Sequence, residues 1–312
     1  AIFTDEPSYM GVYINAGLNP PVIDHPYDDT IPLYPVVSWG RDVLNRFASV
    51  YGYRLEDELP ALFFGHSEKF RNVRRDYYQL MSDLYEQSFF AQISDYCASV
   101  GLMFSGHILL EDELKLHVKF EGNFFKLLRH MHIPGIDMLH SVPEIVWQNA
   151  FTPRLVSSVS ELYGRGHVMD EVSAHAQGGN VTLNQMYTSL LLQYALGADV
   201  FTSYYSDDMP VSEQCAVWDA ISFAESNTIG RINGSVLLHY PIETMMYLNK
   251  PEHEFIESGD DSAALIDTCS KSMEHAMYLL LNRQIPFLFC DTDTLKIAET
   301  KKPELFIIGA GI

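Results

Sequence analysis

Two carboxylates each close a short apolar run: Glu6 in AIFTDEPSY and Glu171 in GHVMDEVSAH. In a parallel α/β barrel the chemistry sits at the carboxyl ends of the strands, so this placement lets two acids meet across one pocket. A facing pair of carboxylates is the machinery of glycosidic bond hydrolysis. One acid protonates the departing oxygen while the other, ionised, attacks the anomeric carbon or activates water. The proline after Glu6 biases that residue toward extended backbone and leaves its carboxylate at the rim. Glu6 is the expected proton donor, its pKa raised by burial or by the charge of Asp5 or Glu171. Glu171 is then the nucleophile or the base. The competing view makes Asp5 and Glu6 plain surface acids.

Further residues group around this pair. GHILLE carries His107 and Glu111 to the end of the next strand and its loop. His107 suits a sugar hydroxyl better than a metal, since no second histidine stands at ligand spacing. Glu111 is read as a substrate contact, a support for another acid, or an oxygen ligand for calcium. Its bland alternative is an acid at a helix start. The AHAQGGN loop after Glu171 adds His175 as a substrate contact, and Asp5 beside Glu6 is read as another. Tyr204, Tyr205, Trp147 and Phe151 are aromatics expected at strand ends, suited to the apolar face of a pyranose ring. His130 and His132, in RHMHIPG, have an alternating spacing able to bind metal, but read first as ordinary helix-end residues. Arg71, Arg74 and Arg75 read as the solvent side or rim of a long helix, with one of them able to clamp a loop acid. Neither GGN at 178–180 nor the terminal GAGI makes a phosphate or dinucleotide loop.

Apolar strands alternating with helices position these residues. AIFTD, LMFSGHI, GIDML, HVMDEV and DVFTSYY count as five consecutive β/α units. Continuous apolar strands between helices imply a parallel sheet covered on both faces. Residues 11–65 read as irregular, and a long helix is predicted from Lys69 to Val100 with Gly101 ending it. Further helices are predicted over Pro153–Tyr163, LNQMYTSLLLQYAL and Val211–Arg231. SVLLHYP, a helix over Ser262–Leu281, PFLFCD and LFIIGAG then form a second, smaller α/β unit. The expected fold is the C-terminal part, about strands 4–8, of a (β/α)8 TIM barrel over residues 1–233. A flavodoxin-like unit over 234–312 follows, with the boundary near Asn233. The chain begins inside a strand and ends on an apolar run, as expected of an excerpt lacking the first barrel strands.

If the first strand counts as strand four, Glu171 falls on strand seven, and the pair resembles that of the clan A glycoside hydrolases, whose general acid/base ends strand four, as Glu6 does here, and whose nucleophile ends strand seven, as Glu171 does. The order of blocks resembles the large bacterial barrel enzymes akin to the α-L-rhamnosidases of glycoside hydrolase family 106. The blocks are Phe3–Pro7, Tyr51–Tyr53, Leu59–Phe63, Val73–Tyr78, Phe104–Leu114, Ile133–Leu139 and Val168–Glu171. The resemblance covers roughly residues 1–245 and implies a glycosidase with Glu6 and Glu171 as its acids. It also implies the calcium option at Glu111, no other cofactor being required. The C-terminal seventy or so residues match less clearly, so the resemblance does not identify the sugar.

Composition narrows the partners. The 312 residues are 47% hydrophobic, enough for a large core. With 41 acidic against 20 basic residues the formal charge is −21, which disfavours DNA or RNA and favours a neutral oligosaccharide or glycoside. No run is long and apolar enough to span a bilayer, and no membrane partner is expected. Cys97, Cys215, Cys269 and Cys290 lack metal or redox spacing and read as buried free thiols, slightly favouring the cytoplasm. The second unit suits homo-oligomerisation or capping of the site. The alternatives are a non-catalytic carbohydrate-binding or scaffold protein on a degenerate barrel, and a metal-dependent barrel hydrolase.

Overall fold

All five apolar runs form strands of one parallel sheet in sequential order: β1 (Ile2–Thr4), β2 (Phe104–Gly106), β3 (Ile133–Met138), β4 (Met169–Val172) and β5 (Val200–Ser203). The computed structural model describes residues 1–8, 37–205, 210–228, 235–251 and 261–309. The NPPVIDHPYDD stretch, the boundary near Asn233, the Arg231 helix end and most of the terminal GAGI lie outside them. Each crossover moves one strand further in the same direction, which curls the sheet into a half-barrel. The register brings Ile2 beside Phe104, Ser105 beside Ile133, and Asp137 beside Glu171. All the strand ends that bear acids therefore open on one face.

Two glycines allow the tight curl. Gly106 has φ 140°, and a Cβ there would meet Thr4 O at 2.1 Å. At Gly135 a Cβ would meet Gly106 O at 2.6 Å. Only residues without side chains let three neighbouring backbones approach this closely.

The second sheet is also parallel, with β6 (Val236–His239) between β7 (Phe287–Cys290) and β8 (Leu305–Ile307). Across this sheet its strands run second, first, third in sequence order. The helix Phe151–Tyr163 lies between the sheets. Its Ser158 Oγ accepts the Phe289 N–H at 2.9 Å, and Arg154 donates to Phe287 O, so side chains of the first unit satisfy the edge of β7. One hydrophobic core runs through Leu155, Val156 and Val159 into Leu237, Phe287 and Phe289.

The long helix is real but interrupted: Glu68–Tyr85, a π turn Glu86–Phe90, then Ala91–Ser99. Ser67 caps it by accepting the Phe70 N–H. The π turn presents Glu86 to His130 Nε2 at 2.7 Å and to Arg129 Nε at 2.9 Å. Burial pushes the Glu86 carboxyl up, but the bonds from His130 and Arg129 outweigh it and hold the group below its ordinary range.

Several expectations need correction. Residues 37–65 are not irregular: a helix Val43–Tyr51 buries Val43 and Phe47 and ends at Gly52, and a short helix Pro60–Phe63 follows. Prolines and aromatics masked a 3.6-residue period there. Arg71 and Arg74 are not on the solvent side. Arg74 is fully buried and donates to Ala61 O at 2.8 Å and Gly65 O at 3.1 Å, closing the carbonyls that the short helix leaves open. Arg71 pairs with Asp261 at 2.6 Å. Phe151 is core, packed edge-on against Phe289, and Trp147 pairs with the Tyr278 ring, so neither stands at a strand end. Cys97, Cys269 and Cys290 are buried free thiols, but Cys215 is exposed. No helix among the described residues is long and apolar enough to cross a membrane.

Candidate active site

The carboxyl ends of β1 to β4 deliver acids to one imidazole. His107 follows β2, is wholly buried, and packs against the edge of Phe3. Its backbone N–H donates to Thr4 O at 3.2 Å, which fixes it beside the end of β1. Its Nε2 lies 3.2 Å from Glu171 Oε2 and 3.5 Å from Asp5 Oδ1. Ligand atoms of Glu6, His107 and Asp137 lie within 4.8 Å of one another. Four acids from three strands, Asp5, Glu6, Asp137 and Glu171, thus surround a single basic side chain.

Glu6 is not extended as its proline suggested. Its φ is +42°, a left-handed conformation that the chain needs to turn sharply after β1. For a non-glycine residue, and one before proline, such a backbone costs on the order of 1–3 kcal/mol. Strain of this kind persists where the surroundings over-determine it, and it gathers at functional positions. The Glu6 carboxyl is raised above its ordinary range, first by burial, then by Asp5 and Glu171, with His107 opposing.

Asp137, which sequence reasoning passed over, joins the group. It sits in register with Glu171, so the two side chains leave the sheet on the same face. Its carboxyl is pushed up to about 7 by burial, then by Glu171, Glu6 and Asp5. Its buried Oδ1 has no hydrogen-bond partner among the described residues. The signal was present in GIDML, an apolar run with one acid near its end, the same pattern that singled out Glu171. Asp170 is likewise buried and well above its ordinary range, through burial and then Asp137.

Glu111 is neither a helix-start acid nor open to the pocket. It is buried in the turn after β2, ahead of the helix Leu114–Phe120, and its Oε1 accepts the Asp137 N–H at 2.7 Å. Burial dominates over that bond and holds its carboxyl well above the usual range. Of the two Glu111 carboxyl oxygens that could serve calcium, Oε1 is already engaged by that backbone N–H. The donor atoms of Glu6, His107 and Asp137 do cluster closely enough for a cation, and an imidazole in the set suits a borderline metal better than calcium.

The remaining expected residues stand apart. Tyr205 shares a hydrogen bond with Ser141 Oγ at 2.6 Å, and Ser141 Oγ donates to Ser173 O at 2.7 Å. Tyr205 thereby ties together the loops after β3, β4 and β5. Tyr204 is exposed after β5 and His175 is exposed in a turn after β4. Among the described residues, no hydrogen bond or ion pair links either side chain to the carboxylates.

No family model and no curated protein matches this chain. Among solved structures, a rhamnosidase from Novosphingobium sp. PP1Y matches with a TM-score of 0.43 and 19% identity, over 54% of this chain. The chain spans 16% of that protein's length. So distant a likeness fixes neither activity nor substrate.

Proposed function

We propose that this chain carries the acid-bearing part of a (β/α)8-barrel glycoside hydrolase, residues 1–233, joined to an accessory flavodoxin-like unit, residues 234–312. Its substrate is a neutral oligosaccharide or glycoside, α-L-rhamnosides foremost on the sequence resemblance. The observation that carries this is the meeting of Glu6 and Glu171 around His107 at the carboxyl ends of parallel strands. A raised Glu6 carboxyl keeps its proton longer than an ordinary glutamate, which suits it to protonate a departing glycosidic oxygen. Glu171, 3.2 Å from His107 Nε2, is oriented by that nitrogen and acts as nucleophile or base. Asp137 shares the proton inventory of the pair, because like charges this close cannot all ionise together. A cation held by Glu6, His107 and Asp137 would supply positive charge toward sugar hydroxyls, and it would compete with the proton on Glu6.

The test is hydrolysis of a panel of nitrophenyl glycosides, including α-L-rhamnoside and β-galactoside, by the protein and its Glu6→Gln and Glu171→Gln variants. Each change is expected to lower kcat by at least about a thousandfold while the circular dichroism spectrum is unchanged. Cleavage that survives both changes removes these acids from the mechanism. No cleavage of any sugar, with glycoside binding insensitive to both changes, favours a carbohydrate-binding module.

A further inference from the structure

We infer that the second sheet is a working part of the candidate site: Tyr240 and His117 are positioning residues that pin the Glu111 turn and, through it, the Asp137 end of β3. The inference rests on the carboxylate site proposed above but goes beyond it, because it gives the C-terminal unit a task in that site.

The connection is a chain of hydrogen bonds from one sheet to the other. Tyr240 immediately follows β6, and its backbone N–H donates to Cys290 O at 2.8 Å, which fixes it to the end of β7. Its hydroxyl lies 2.7 Å from His117 Nδ1. His117 Nε2 lies 2.9 Å from Glu111 O. A carbonyl only accepts, so Nε2 carries the proton, Nδ1 is the acceptor, and the Tyr240 O–H donates. Glu111 then accepts the Asp137 N–H through Oε1 at 2.7 Å. Four links lead from the second sheet to the backbone of an acid in the site.

The surroundings make this chain stiff. His117 is fully buried and stacked between Phe124, at 5.6 Å and 18°, and Phe151, at 6.0 Å and 28°. Water is excluded, so each link holds its partner without competition. The turn itself is strained, with Leu110 at φ +57° just before Glu111. A strained turn keeps its shape only when its neighbours hold it. A second clamp runs in parallel: Asn123 Nδ2 donates to Asp291 Oδ2 at 2.6 Å, Asp291 following directly on β7. The Asn123 Oδ1 caps the helix Phe124–Leu128 by accepting the Phe125 N–H. Both clamps come from the carboxyl ends of β6 and β7, and both hold the connection between β2 and β3. Pure packing would not need a phenol and an imidazole matched in donor and acceptor sense.

The experiment compares the protein with Tyr240→Phe, His117→Gln and His117→Leu, using Tyr278→Phe as a control. Tyr278 joins the helix Ser262–Asn282 to Trp147 O and touches no part of the site. Amide hydrogen exchange is read over 107–113, 133–139 and 183–196, and kcat and KM are measured on the glycoside cleaved fastest. Tyr240→Phe is expected to speed exchange at Asp137 at least about tenfold, with 183–196 unchanged, and to lower kcat about tenfold with KM nearly constant. His117→Gln, whose amide still donates to Glu111 O, is expected to fall between the wild type and His117→Leu. Unchanged exchange at Asp137 in Tyr240→Phe overturns the inference. So does exchange raised equally over 183–196, or a Tyr278→Phe variant that behaves like Tyr240→Phe. If no glycoside is cleaved, the exchange result decides alone, and the enzymatic proposal fails separately.

Discussion

Lowering the pH should expose the cost of keeping His117 neutral. Burial pulls its pKa from 6.5 down to about 4. In the unfolded chain the imidazole titrates near its ordinary value, about 6.5. Between pH 6.5 and 4 the unfolded state therefore binds one more proton than the folded state, and stability is lost as the pH falls through that window. At about 1.4 kcal/mol per pKa unit the full loss is about 3 kcal/mol, of which about 2 kcal/mol is gone by pH 5. Glu111, Glu121 and Asp170 act in the opposite sense: burial holds each well above its ordinary range, so the folded state takes up their protons first and gains stability as pH falls. The pH curve of the wild type alone sums both effects. Its difference from His117→Gln isolates the imidazole. Urea unfolding followed by circular dichroism at pH 7.5 and pH 5.0 should show the free-energy gap between the two proteins shift by about 2 kcal/mol toward the variant at the lower pH. An equal gap at both values would refute the account of His117 as a neutral, buried link.

Two backbone predictions follow from the same strand ends. Because Glu6 stands at φ +42°, Glu6→Gly should be more stable than Glu6→Ala by about 1 kcal/mol while both lack activity, and thermal melts that rank them the other way would show that no strain is stored there. Gly106→Ala would place a methyl 2.1 Å from Thr4 O at φ 140°, so it should cost at least about 3 kcal/mol in urea unfolding, and a loss under about 1 kcal/mol would mean that β1 is not held against β2 as described.

Local pattern located most elements because their signals are local. The capping box Thr182 to Gln185 starts the helix Leu183–Leu196, and an apolar run without charges makes β7. Val43 and Phe47 were missed since only burial against the helix Glu68–Tyr85 makes that short stretch a helix, and proline-rich neighbours hid its period. Arginines near a helix start are solvent-facing on average, yet Arg74 is buried because three carbonyls at 61–65 need donors, a demand that arises only once the chain folds back.

The acids divide the same way. Apolar runs ending in Glu6 and Glu171 marked two strand ends, and strand order put both on one face. Sequence alone could not tell that Asp137 is in register with Glu171, because registry is set by how neighbouring strands pair. Nor could it tell that Glu111 turns onto the Asp137 backbone, or that His107 stands between the acids. By itself the sequence determined the parallel strands, the helices between them, and an acid-rich rim. The tertiary structure decided which acids share a pocket, which are raised by burial, and that a tyrosine of the second sheet reaches the first, since such terms depend on distances between residues far apart in the chain.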